Sequence, residues 1–423
     1  MGLNKKSILS EVIADWGALN RSQKWLFFLY AIVLSPHIRT LFRVIEARIG
    51  LSFIVEYSDT LLVVIAILGS ISVFKNKLHF ADIAFVLCVA ILHLLSPILY
   101  SETVLFANQN AGFFIFSCLP LYLVGRTIDS KTSTTLFVAI AYIGLVLEVL
   151  LLFFLGMEVN ESGEVRSRMM TRAYYLLPFV LLLLWNAIER GRVVDYIAPL
   201  IGVFVLFSLG TRGPILCLVI FIALYLVLFK KFKHGKIVKT IIVLFAIVFY
   251  SYSFQILLFT SMLSSSVGLS TRVYDSILDK QMLNIEESSG RDMIYQDVIN
   301  YLDAHNIYFS AELYADRIVT GLDTYAHNLE LEILCEFGLI GGAIILMIIL
   351  SIIIKAFRKE WNTEKASFLL IFFCSSIMQL QFSGSWLRSG IFWFFIGMCI
   401  SMNELTIIKH KKNINNESAS VNI

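Results

Sequence analysis

An all-α, polytopic membrane fold is predicted by three observations. Hydrophobic residues make up 58% of the 423 residues, charged residues only 15%, and the apolar residues fall in runs of 17 to 25 rather than in amphipathic stripes. Such a composition excludes a soluble domain with a charged surface, and runs of that length match the thickness of a bilayer. The net charge of +3 is uninformative by itself, because the side on which each Lys and Arg falls matters more than the sum. The six cysteines stand singly in apolar runs, so they read as small core residues and not as a disulfide or metal framework.

Apolar windows predict about 12 transmembrane helices, near 24–42, 57–74, 78–99, 108–125, 134–156, 172–189, 194–210, 213–230, 237–260, 327–354, 366–384 and 388–408. The first is the weakest, since Arg39 and Arg43 follow Pro36 closely. The chain thus divides into nine spans over 1–260, one large loop over 261–326, three spans over 327–408 and a polar tail over 409–423. No removable signal peptide is expected at the N-terminus, where the first residues are polar and mixed in charge.

Most of the 34 basic residues lie on one side of this layout: Lys5, Lys6, Lys75, Lys77, Arg190, Lys230, Lys231, Lys355, Lys359, Lys411 and their neighbours. By the positive-inside rule that side, with both termini, is cytoplasmic. The opposite face carries Lys280 and otherwise only arginines: Arg39, Arg43, Arg48, Arg166, Arg168, Arg172, Arg212, Arg272, Arg291, Arg317 and Arg388. Arginine holds its charge in poor solvent and grips phosphate through two parallel hydrogen bonds. An outer face of this kind suits a phosphate-bearing substrate; pairing with acids such as Glu46, Glu161 and Glu164 is the alternative.

Inside the large loop, Gly290–Leu302 places Met293, Ile294, Val298, Tyr301 and Leu302 at helical spacing, which predicts an amphipathic helix lying on the membrane surface. Ser288 or Ser289 would cap it, and Arg291 in its first turn opposes the helix dipole, which favours a functional reason for that residue. After the loop, Thr324–Gly342 sets His327, Asn328, Glu330, Glu332 and Glu336 at the mouth of an apolar run, with His327 and Glu330 on one helix face. Ionisable groups at a membrane boundary are costly and mark functional sites by default. Gly338 and Gly342 read as a close helix-packing pair. Trp386, Tyr174, Tyr175, Tyr314 and Tyr325 read as interfacial anchors.

Three segments occur in order on the outer face: Ser208-Leu209-Gly210-Thr211-Arg212-Gly213-Pro214, Ser288-Ser289-Gly290-Arg291, and Ala326-His327-Asn328-Leu329-Glu330 through Glu336-Phe337-Gly338-Leu339-Ile340-Gly341. Together they resemble the O-antigen ligase and Wzy-type O-antigen polymerase family, over roughly 195–400. The resemblance implies a glycosyltransferase of the bacterial inner membrane that moves a glycan from an undecaprenyl-diphosphate donor on the periplasmic face. It implies no metal and no other cofactor, no nucleic-acid partner, and membrane lipids, a chain-length regulator and a flippase as companions. His327 would be the base or orienting group for the acceptor hydroxyl, Arg212 and Arg291 would hold the diphosphate, and Glu330, Arg172 and Arg388 would support substrate binding.

Polymerase and ligase share the donor and differ in the acceptor, another lipid-linked repeat unit or lipid A-core. The motifs do not separate them, and the polymerase is the preferred reading. A transporter would predict inverted repeats and charges at matching depth, and neither is visible.

Overall fold

Long apolar runs become helices because a chain in hydrocarbon must satisfy every backbone group within itself. The computed structural model describes residues 21–34, 37–38, 78–128, 130–155, 163–209, 211–228, 291–305, 307–321, 325–358 and 363–403, with isolated positions between 64 and 74 and between 258 and 265. Among them there are helices and no strands. The expected spans at 57–74 and 237–260, the Ser288 and Ser289 caps and the polar tail lie outside the described residues.

The main helices are α1 (Arg21–Tyr30), α2 (Phe80–Leu99), α3 (Ser101–Arg126), α4 (Ser130–Leu155), α5 (Gly163–Arg190), α6 (Ile197–Ser208) and α7 (Arg212–Leu228). They continue with α8 (Arg291–His305), α9 (Ala315–Thr320), α10 (Leu329–Arg358), α11 (Thr363–Ser375) and α12 (Gly390–Asn403). Five stretches among the described residues are long and apolar enough to cross a membrane: α2, α3, 134–152 of α4, 171–190 of α5, and α10. Three shorter apolar helices cover 193–208, 212–228 and 390–403. The protein is therefore an all-α, polytopic membrane protein. The weak first span is α1 continued by a 3-10 turn at Ala31–Leu34.

The chain forms two compact units. One holds residues 1–66, 134–287 and 370–375, the other 67–133, 288–369 and 376–423. In the first, α5 packs on α6 and α7, and its inner face from Leu176 to Leu183 is almost wholly buried. Pro178 stands inside α5.

In the second unit, α3 crosses α12 so closely that a Cβ on Gly125 would meet the Phe394 carbonyl and one on Gly397 the Tyr122 carbonyl. Beside this crossing the Arg126 guanidinium grips Asp82 through two parallel bonds of 2.6 and 2.9 Å, and the Tyr122 hydroxyl donates to the same carboxylate at 2.8 Å. Arg126 and Asp82 are 1% and 4% exposed, so neither charge has water to fall back on. Arg126→Met is expected to destabilise the protein by about 3–5 kcal/mol, because it leaves Asp82 buried without its partner. Thermal unfolding in detergent, compared with the double variant that also carries Asp82→Leu, measures it; the double variant should recover part of the loss.

α8 confirms the helix predicted in the large loop but not the surface it covers. Ile294, Val298 and Leu302 are buried. Val298 and Leu302 pack in a core with Ala315, Ala326 and Cys335, from α9, the segment before α10, and α10 itself. The apolar stripe thus covers protein, while Met293 and Ile299 are exposed. All six cysteines are free thiols, five buried and Cys88 exposed.

Candidate active site

The start of α10 is built as a short helix, a break and a long helix. Gly338 has φ 75° and ψ 171°, a conformation open in practice only to glycine, and residues on both sides of it are helical. The break frees backbone groups that the segment 307–312 satisfies. Leu339 N–H donates to the Ile307 carbonyl and Ile340 N–H to the Tyr308 carbonyl, both at 2.9 Å. In return Ser310 and Glu312 N–H donate to the Phe337 and Glu336 carbonyls at 2.9 and 3.0 Å. A Cβ on Gly338 would stand 2.7–2.8 Å from the Tyr308–Phe309 backbone. The glycine therefore serves a docked loop segment; it is not the helix-packing glycine that its spacing with Gly342 predicted.

Ahead of this break, His327 is not on the helix. Its backbone is left-handed, φ 53°, and the helix opens at Leu329 with Asn328 as its cap, the Asn328 side-chain oxygen accepting from Leu331 N–H at 2.9 Å. The predicted shared face of His327 and Glu330 is accordingly lost: Glu330 accepts from Gln381 Nε2 at 2.9 Å at the surface. His327 is held by other means. The Tyr325 ring lies against its imidazole, centroids 4.1 Å apart, and the Tyr295 hydroxyl from α8 donates to its carbonyl at 3.4 Å. Burial first, and then the Arg291 charge at the start of α8, lower its pKa to about 4, so the ring is neutral near pH 7.

Below His327 lies a junction that the sequence did not reveal. Asp316, Glu332 and Glu336 are buried, and each offers a carboxylate oxygen within 4.8 Å of the others. Glu332 accepts from the Ser385 hydroxyl and from Trp386 N–H at 3.2 Å. Glu336 accepts from Tyr314 N–H and Trp386 Nε1, both at 2.8 Å. Asp316 accepts from Ala326 N–H at 2.7 Å, which ties down the residue just before His327, and burial pushes its pKa up to about 6. These oxygens lie close enough to share one cation, but all four on the glutamates already take hydrogen bonds. Only Asp316 Oδ1 has no such partner among the described residues. The donor set suits a structural junction that fixes the 314–316 and 383–388 segments around the head of α10.

This junction also revises two expected interfacial anchors. Tyr314 and Trp386 are 0% and 7% exposed and belong to the junction, Tyr314 in a left-handed conformation and Trp386 with its ring tilted against Trp393, centroids 5.6 Å apart. Tyr325 instead shares a 3.0 Å hydrogen bond with Ser383. Arg388, two residues after Trp386, is exposed, with its guanidinium 6.0 Å from the centre of the Phe113 ring.

Of the predicted site residues, Arg291, His327, Glu330 and Arg388 fall in one compact unit; α8, which Arg291 opens, packs on α10, which carries Glu330, and Tyr295 of α8 reaches the His327 carbonyl. Arg172 and Arg212 fall in the other unit. Arg212 is the exposed first residue of α7 after the buried Thr211, and Arg172 is buried in α5. Two further histidines, His93 and His37, gain context only in the fold. His93 bonds the Val89 carbonyl at 3.0 Å and stacks on Phe114 at 4.0 Å, and His37 bonds Glu148. A pairing 111 residues away in sequence leaves no local signal.

The fold and site define a membrane-embedded, all-α protein with a neutral histidine and an arginine set together beside a loop docked on a broken helix. A family model described as O-antigen ligase matches residues 197–346, a range that includes Arg212, Arg291, His327 and Glu330. By that match this part of the chain is similar to the O-antigen ligase family. The chain matches no curated protein and no solved structure.

Proposed function

We propose that the protein is a surface-polysaccharide polymerase of the bacterial inner membrane, joining undecaprenyl-diphosphate-linked repeat units on the periplasmic face. The observation that carries this reading is the pairing of neutral His327 with Arg291 inside the family-matched segment. A sugar hydroxyl is a poor nucleophile until a base within reach takes its proton, and a neutral imidazole at pH 7 is competent to do so. As the acceptor oxygen attacks the anomeric carbon, the bond to the diphosphate breaks and negative charge grows on the leaving phosphate. Arg291 receives that charge through bidentate hydrogen bonds. Arg388 adds a cationic contact to the lipid diphosphate, and Glu330, at the surface with Gln381, contacts glycan hydroxyls. A chain-length regulator and a flippase are the companions this role requires.

Arg291→Gln is expected to lower the rate of chain extension about 10²–10³-fold, the cost of removing one preorganised donor from a developing oxyanion. Arg291→Lys should recover little, since an ammonium cannot reproduce the fork. Quantifying glycan length in membranes that hold equal amounts of each variant makes the comparison.

A second reading, transfer of finished polymer to lipid A-core, is favoured by the description of the matched family. Deleting the gene and examining the lipopolysaccharide decides between them. A core carrying a single repeat unit means a lost polymerase; bare core with free lipid-linked polymer means a lost ligase and overturns the first reading.

A further inference from the structure

Within the unit that carries Arg212, three ionisable side chains meet in the dry interior. Glu148 Oε2 lies 2.8 Å from His37 Nδ1, and Glu148 Oε1 lies 2.5 Å from Arg172 Nη2. All three residues are 3% exposed or less. A carboxylate only accepts, so His37 donates through Nδ1, and its ring is wedged against Phe179 and Tyr175 of α5, the helix that carries Arg172.

The arrangement does not use the arginine as a buried ion pair ordinarily would. A guanidinium satisfied by one carboxylate meets both oxygens with two parallel bonds, as Arg126 meets Asp82. Glu148 divides its oxygens between histidine and arginine, so Arg172 is held at one corner. Its Nε and Nη1 have no hydrogen-bond partner among the described residues. Buried donors are rarely left so, and an arginine fork fixed at one corner is prepared for a second, planar or tetrahedral oxyanion. Arg172 lies on α5, which packs on α7, the helix that Arg212 opens. Two residues after Arg172, the Tyr174 hydroxyl sits against Gly213 so tightly that a Cβ there would overlap it.

We propose that Arg172 is a phosphate-binding residue, positioned by Glu148 and His37, that takes one phosphate of a lipid-linked substrate. This rests on the function proposed above and adds to it the two positioning residues, Glu148 and His37. Glu148 offsets the guanidinium charge and sets its plane; His37 holds the second carboxylate oxygen so that it cannot turn onto the fork.

The test uses full-length protein in phosphatidylcholine nanodiscs, titrated with undecaprenyl phosphate. Arg172→Lys is expected to weaken binding about tenfold or more, and Glu148→Gln to weaken it less, since each loses geometry that a point charge cannot restore. For glycan transfer, Glu148→Gln should raise KM for the donor with kcat nearly unchanged, which loss of folded protein would not do. Should either variant fold poorly, a photoreactive undecaprenyl phosphate on the wild-type protein is expected to label 171–190; labelling elsewhere only overturns the proposal. Equal displacement of the probe by phosphatidylglycerol would assign the phosphate to bulk lipid and overturn the substrate assignment. Wild-type protein that binds the probe, with both variants binding equally well, overturns this inference alone. Wild-type protein that fails to bind it overturns the proposed function as well.

Discussion

Replacing His327 by alanine is expected to lower the rate of glycan transfer about 10²–10⁴-fold, the usual contribution of a positioned general base. The variant should fold, because the imidazole lies against Tyr325 at the edge of the site and Asn328, not His327, caps the helix. The pH dependence gives an independent reading. Burial and the Arg291 charge both disfavour the imidazolium, so the folded pKa is about 4, below the ordinary histidine value. The active form is neutral and persists as pH falls through the usual histidine range. kcat/KM should therefore stay level from about pH 8 to about pH 5 and fall only as the pH approaches the folded pKa. A limb centred near the ordinary histidine pKa of about 6.5 would show that His327 is not the titrating base in this environment.

Gly338→Ala carries the largest expected effect on stability. The residue holds φ 75° with ψ 171°, which costs an L-residue about 1–3 kcal/mol, and its new methyl group would be driven into the Tyr308–Phe309 backbone. Overpacking against immovable backbone adds about 1–3 kcal/mol, so a total of roughly 2–6 kcal/mol is expected. The loss should be local in character, since the hydrogen bonds from 307–312 to the broken helix are what the substitution displaces. Hydrogen exchange at Leu339 and Ile340, together with a thermal melt, measures both parts. Unchanged protection there would mean that the docked segment does not depend on the break.

The elements legible in the sequence are those whose cause is local. Phe80–Leu99 and Leu329–Arg358 are apolar runs of bilayer length, and α8 announces itself through Ile294, Val298 and Leu302 at helical spacing. What lies opposite an element is not local. The same stripe suits a membrane surface or a protein core, and only Ala315, Ala326 and Cys335 decide for the core. Gly338 and Gly342 have the spacing of a packing pair, yet the partner of Gly338 is loop backbone, which leaves no side-chain signature.

The candidate site was legible in the same uneven way. His327 and Arg291 could be singled out because charge at an apolar boundary is expensive. The junction that Glu332 and Glu336 form left no local sign, since their partners Ser385 and Trp386 are about fifty positions away and Asp316 comes from α9. The pairing of His327 with Glu330 failed because a left-handed residue before the Asn328 cap turns the histidine away from helical register. Each miss is a tertiary contact, or a backbone conformation enforced by one.

The central claim is that this chain joins glycans carried on a lipid diphosphate. Its most direct test is the purified full-length protein in nanodiscs, given an undecaprenyl-diphosphate-linked repeat unit as both donor and acceptor. The account predicts a ladder of longer lipid-linked glycans with release of undecaprenyl diphosphate, and no ladder from His327→Ala at equal protein. A ladder from His327→Ala as long as that from the wild type, or a wild-type protein that lengthens nothing, would contradict it.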